Sequence, residues 1–244
     1  MKRILVILSV AFALGCNKEN SSETGLLPLK VSFNLYAFGA PIDTTIQYTN
    51  VYGEKYKIST LKFYVSLFEA VNTSSSAKTS ETESYHLIDL ADPASQSFDI
   101  KLNNGLYNQL NFIVGVDSIR NVSGAQTGAL DPANGMFWTW NTGYIFAKLE
   151  GKSPASTAPL QMFTYHIGGF KTGENAIRTI SLPAQIEIGK TNEIIINADI
   201  ERWFDGENAI SIASKASIMS PGGPALLIAD NYASMFSVNK IVTP

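Results

Sequence analysis

The residues of this chain best equipped for chemistry are few and unevenly placed. Met136, Phe137, Trp138 and Trp140 fall within five positions, and they include two of only three tryptophans in 244 residues. The two histidines are His86 and His166, and the single cysteine is Cys16. Thioether and imidazole together suit copper, and an indole beside them offers a face for stacking a small molecule. His166 ends the alternating run Leu160, Met162, Thr164, His166, so it shares one strand face with a methionine. A nitrogen-poor site of His166 with Met136 or Met162 and an aromatic neighbour would favour Cu(I). His86, in Tyr85-His86-Leu87-Ile88-Asp89-Leu90, is the only other imidazole that could join it. The same aromatic residues also fit a plainer use, as a large apolar plug in the mouth of a β-sandwich. Both readings stand on the residues alone.

Other chemistries are excluded by composition. One cysteine and two histidines cannot supply a disulfide framework, a cysteine-pair zinc finger or a four-thiolate iron–sulfur cluster. No G-x-S-x-G elbow accompanies either histidine, which removes the usual acyl-transfer hydrolase. Glu150, Asp131 and Glu201 are available as carboxylates, but no spacing pairs them across a glycosidic bond. Asp117 and Asp131 lie in segments too poor in oxygen ligands for calcium and read as turn caps. A net charge of −3, with no basic run beyond the first three residues, gives no footprint for nucleic acid. No enzyme activity is expected of this chain by itself.

The elements that must position these residues are strands. With 45% apolar and 16% charged residues the chain is not disordered. From Leu29 onward the period is two: Val31, Phe33 and Leu35; Leu61, Phe63, Val65 and Leu67; Leu110, Phe112, Val114 and Val116; Ile194, Ile196, Ala198 and Ile200. Shorter strands are expected at 86–90, 96–102, 144–149, 160–167 and 177–182, separated by Gly, Asn, Asp and Pro clusters. Thr73 to Ser84 reads as a long mobile hairpin loop. No helical stripe longer than about two turns stands out. Eight or nine such strands predict an all-β fold, an antiparallel β-sandwich forming a single domain over residues 28–244.

The N-terminus is an address. Lys2 and Arg3 precede the apolar run Ile4 to Leu14, interrupted only by Ser9, which reads as a secretory signal over residues 1–15 and is too short to span a bilayer. Ala13-Leu14-Gly15-Cys16 resembles the lipobox of bacterial lipoproteins, which implies lipidation at Cys16. Residues 16–27, with Asn17 to Thr24 polar and small, form a flexible tether. The expected localisation is the cell envelope of a Gram-negative bacterium, on the periplasmic or surface face of the outer membrane, with the membrane as partner through the N-terminal lipid.

One family resemblance spans nearly all of the mature chain in order. Leu130-Asp131-Pro132, Gly135-Met136-Phe137-Trp138-Thr139-Trp140, Gly143-Tyr144-Ile145-Phe146 and Lys148-Leu149-Glu150-Gly151 resemble the central motif of the MbnP family, copper-binding proteins first named from methanobactin gene clusters. Leu61-Lys62-Phe63-Tyr64-Val65-Ser66, Gly115-Val116-Asp117-Ser118 with Asn121, His166-Ile167-Gly168-Gly169 and Asn231-Tyr232-Ala233-Ser234-Met235-Phe236 agree with it. The resemblance implies an exported β-rich protein that binds copper through imidazoles and a tryptophan oxidised to kynurenine by a MauG-type di-haem partner. Trp138 or Trp140 matches the position of that tryptophan, and His166 the downstream histidine. The chain departs from the pattern in having only His86 as a second imidazole. Two functions are therefore weighed: copper binding or handling, and a surface-displayed module that stacks a glycan or partner protein on Trp138, Trp140 and Tyr144.

Overall fold

The structure, a computed structural model, describes residues 25–141 and 143–244, so the signal segment, Cys16 and most of the tether lie outside the described residues. Along the chain come β1 (Leu26–Ala37), β2 (Ala40–Pro41), β3 (Tyr48–Thr49), β4 (Lys55–Asn72), β5 (Ala77–Ser80), β6 (Tyr85–Asp89), β7 (Ser97–Asn103) and β8 (Gly105–Val114). The short helix α1 (Ser118–Val122) follows, then β9 (Ile145–Lys152), β10 (Met162–Gly168), β11 (Arg178–Ile188), β12 (Glu193–Asp199) and β13 (Ser217–Ile218). The helix α2 (Pro224–Ala233) and β14 (Phe236–Val242) close the chain.

Two sheets pack face to face, as the period-two pattern requires. In one, β1 is flanked by β12 and β7, with β14 beyond β12. In the other, β4 is the spine: its first half pairs with β9 and its second with β8, while β5 and β6 pair along its second half. The alternating residues Val31, Phe33, Leu110, Phe112, Ile194 and Ile196 all face one continuous apolar core. The expected all-β sandwich is thus present, but its pairing is mixed. β1 runs parallel to β12 and β10 parallel to β13, where wholly antiparallel sheets were expected. Burial periodicity reports which face is covered and carries no information on strand direction.

Three local expectations are corrected. The inward alternation of Leu61, Phe63 and Val65 does not continue to Leu67: a bulge between Ser66 and Glu69, with Leu67 at φ 56, turns Phe68 and Ala70 inward instead. Thr73 to Ser84 is not one open loop, because β5 forms within it and pairs with β4. The C-terminal stretch contains α2, which starts at Pro224 and buries Ala225, Ile228, Ala229 and Tyr232; its apolar stripe lies behind a Ser-Pro-Gly-Gly-Pro turn that masks it in the sequence. No helix among the described residues is long and apolar enough to cross a membrane.

Candidate functional site

The chain between β8 and β9 leaves the sandwich and folds over the outer face of the β4 sheet. Its turns are set by side chains. Asp117 caps α1 by accepting from the N–H groups of Ile119 and Arg120, and Asp131 caps the next turn by accepting from Ala133. Gly135 ends that turn in the left-handed region, at φ 70. A narrow hairpin follows, in which Ile145 N–H donates to Met136 and Trp138 N–H to Gly143.

Asn121 locks the hairpin down. Fully buried, it donates to the carbonyls of Val116 (2.6 Å) and Asp117 (2.9 Å) and accepts from Tyr144 N–H (2.8 Å). A Cβ at Gly143 would lie 2.6 Å from the Asn121 carbonyl oxygen, so only glycine fits there. This explains why Asn121 and Gly143 stand in the motif. Tyr144 is wholly buried, donates to the Leu130 carbonyl at 2.8 Å and meets Tyr64 edge-on. It is a core residue, and it contributes no surface for a stacking platform.

The two indoles sit together with ring centroids 5.8 Å apart, yet they differ in environment. Trp138 is 3% exposed and Trp140 61%. Trp138 lies over Gly168 of β10, where an added Cβ would stand 2.8 Å from its six-membered ring. Its indole N–H is buried with no hydrogen-bond partner. Met136 is fully buried at the hairpin base.

Beneath the hairpin runs a row of charged and polar side chains. Register sets His166 beside Lys148, Lys148 beside Lys62, and Lys62 beside Asp89. Lys62 pairs with Asp89 at 2.8 Å, and Lys148 donates to the Gly135 carbonyl at 2.6 Å, tying the sheet to the turn that launches the hairpin. Burial pushes the Lys148 ammonium below its ordinary value. His166, 8% exposed, has Nε2 2.7 Å from Glu150 Oε1. The hydrogen bond from His166 is the main reason the Glu150 carboxyl is held below its usual value. An ionised Glu150 accepts only, so Nε2 is the donating nitrogen of this pair and Nδ1 is the nitrogen left for another partner.

His86 does not join this row. It stacks on Phe98 with centroids 3.5 Å apart, Nε2 lies 2.8 Å from Ser84 Oγ, and burial lowers its pKa to about 4. Since Asp89 aligns with the His166 row and His86 lies three residues earlier on β6, the two imidazoles face opposite sides of the sheet. Three strand spacings also separate them, roughly 14 Å, far beyond a shared first shell. Met162 shares the His166 face but lies four residues away along β10, about 13 Å. Neither His86 nor Met162 is therefore brought to His166.

A different methionine comes near this edge of the sheet: β10 and β13 pair Thr164 with Ser217 and Tyr165 with Ile218, and Met219, 42% exposed, is the first residue beyond that paired stretch. Sequence reasoning missed the role of Glu150, because it reaches His166 across a strand pair that no local period encodes. Among the described residues no three His, Cys, Asp or Glu side chains gather as a metal-holding group. A two-imidazole copper centre thus does not fit this chain, whereas one imidazole beside a thioether suits Cu(I).

The family model described as MbnP matches residues 27–220. Among solved structures, MbnP from Methylosinus trichosporium aligns with a TM-score of 0.55 at 17% identity, covering 82% of this chain and 87% of that one, a likeness of fold alone. A search of curated proteins gives no match.

Proposed function

Because the chain belongs to the MbnP family, we propose that it is a lipid-anchored envelope protein that handles copper without being an enzyme. The observation that carries this reading is the Glu150–His166 hydrogen bond. Imidazoles that bind metals characteristically donate their second N–H to a carboxylate, which fixes tautomer and ring orientation. His166 and Met219 would hold Cu(I), and Glu150 would orient the imidazole. The half-open position of Met219 favours handing the ion on over storing it. Acylation of Cys16 would place this site at the membrane surface.

The test is titration of the purified protein with Cu(I) and Cu(II), read by elemental analysis and tryptophan quenching. His166→Ala and Met219→Leu are expected to lose Cu(I) binding, while His86→Ala keeps it. Absence of binding in both oxidation states, or a His166→Ala variant that binds normally, overturns the proposal. Oxidation of Trp138 or Trp140 by a MauG-type di-haem partner belongs to the same reading. Protein from its own host would then carry an indole that has lost one carbon and gained one oxygen. Trp140, exposed at the hairpin tip, also favours a second reading, an interaction module for a glycan or partner protein. Trp140→Ala would abolish that binding and leave copper untouched.

A further inference from the structure

The connection from β1 to β4 gathers exposed apolar side chains at one end of the sandwich. Phe38, Ile46, Val51 and Tyr52 are each about half exposed, and among the described residues no other stretch of that length carries four such side chains. They adjoin one another. Phe38 and Ile46 wall a groove of about 420 Å³ with Ala40 and Pro41, and Phe38 and Val51 meet again in the pocket next to it. Apolar side chains exposed singly need no explanation, but a contiguous patch marks a place of contact. The groove is open, since Phe38, Pro41 and Ile46 all reach solvent. Its central ring is held there under strain: Phe38 stands at φ 53, a conformation non-glycine residues rarely adopt, with its ring stacked on Tyr48 at 5.7 Å and 11°. Glycine would make this turn without strain, so the phenyl ring is not there for the turn.

What covers the patch follows from its position and its charge. Phe38 lies roughly 40 Å along β1 from Leu26. The chain from Cys16 to Gly25 spans about 30 Å at full extension, so a lipid at Cys16 would hold the opposite end of the sandwich toward the bilayer. Setting the bilayer aside in this way rests on the lipid-anchored reading given above. The rim is acidic. Asp43 stands between Pro41 and Ile46 in the chain, Glu201 accepts from Phe38 N–H, and Asp205 lines the adjoining pocket. The nearby cations, Lys57 and Arg202, donate to the main-chain carbonyls of Thr45 and Asp205. Apolar side chains ringed by carboxylates repel a second copy of the same face and suit a segment that combines aliphatic side chains with lysine or arginine. The groove lies between β2 and β3, so an extended segment can run alongside them.

We propose that this end of the sandwich docks an extended segment of a partner polypeptide, its aliphatic side chains seated on Phe38, Ile46 and Val51 and its basic ones facing Asp43, Glu201 and Asp205. The test is fluorescence anisotropy of a labelled peptide of alternating lysine and leucine, titrated with the unacylated chain. Peptides of alternating glutamate and leucine, and of alternating lysine and serine, are the comparisons. Saturable binding is expected for the lysine–leucine peptide alone. Phe38→Gly keeps the turn, removes the ring and should weaken binding about tenfold, and Ile46→Ser, at an exposed position, should do the same. Asp43→Asn keeps the acceptor for Thr45 and should weaken binding several-fold, with the difference shrinking in high salt. Equal binding of the lysine–serine peptide, or both apolar variants binding as wild type does, overturns the proposal. So does adsorption of the unacylated chain to phosphatidylcholine–phosphatidylglycerol vesicles that is lost in Phe38→Gly, which would make a lipid surface the occupant. The mass of Cys16 in protein from its own host tests the anchor separately, and none of these results bears on copper at His166.

Discussion

Replacing Gly168 by alanine tests whether Trp138 is held by contact with β10. The added Cβ would stand 2.5 Å from the Tyr144 carbonyl oxygen and 2.8 Å from the Trp138 ring, and both lie well inside ordinary contact. The carbonyl belongs to the hairpin base and cannot swing away, so the hairpin must lift or the indole must tilt. Overpacking of this kind costs about 1–3 kcal/mol, and two clashes at one atom place Gly168→Ala near the upper end. For a chain of this size about 3 kcal/mol lowers the melting temperature by roughly 6–12 °C. The assay pairs thermal unfolding with tryptophan emission: Trp138 gains water as it is displaced, and the spectrum shifts to the red. Trp138→Phe removes one of the two clashes, so Gly168→Ala should cost less in that background, a coupling of about 1 kcal/mol. A melting point within a degree of wild type with unchanged emission would refute the close packing described above.

His86 should make stability fall in mild acid. Burial lowers its pKa from 6.5 to about 4, so the unfolded chain takes up the proton first. The contribution is complete above pH 6.5 and is lost as pH falls toward 4, amounting to roughly 3 kcal/mol; urea titrations of His86→Phe should show that slope flattened. Asn121→Ala strands the Val116 carbonyl and Tyr144 N–H, while the Asp117 carbonyl keeps the main-chain N–H of residue 121. A loss of roughly 2–4 kcal/mol is expected, read from the urea midpoint at constant m-value. Glu150→Gln keeps the shape of the pair but releases the tautomer, and Cu(I) affinity should drop by about tenfold to a hundredfold in a competition assay. Unaltered affinity in that variant would detach Glu150 from the site.

What could be read from the sequence followed from distance along the chain. Alternation over four or five residues identified the core faces of β1, β8 and β12, because a half-buried strand writes its burial into every second position. The same reasoning overran at Leu67, where the bulge depends on how β8 lies against β4. The spacing of Trp138 and Trp140 put them side by side, as they are, but gave no hint that only Trp138 has a glycine beneath it. His166 was visible as the end of an alternating run. Its partner Glu150 was not, since it arrives on β9 and that pairing has no local signature. His86 was weighed as a second imidazole for His166; its stacking on Phe98 depends on a strand from the opposite sheet, which no local pattern announces.

The first strand of the described chain is also the middle of its sheet, and that has a mechanical consequence. β1 holds seven register pairs with β12 along one edge and seven with β7 along the other. Tension applied at the amino end therefore loads β1 along its own axis, where those pairs resist sliding together and cannot unzip one by one. A domain hung from that end would bear drag as a rivet does, and it would yield only when the whole sheet shears.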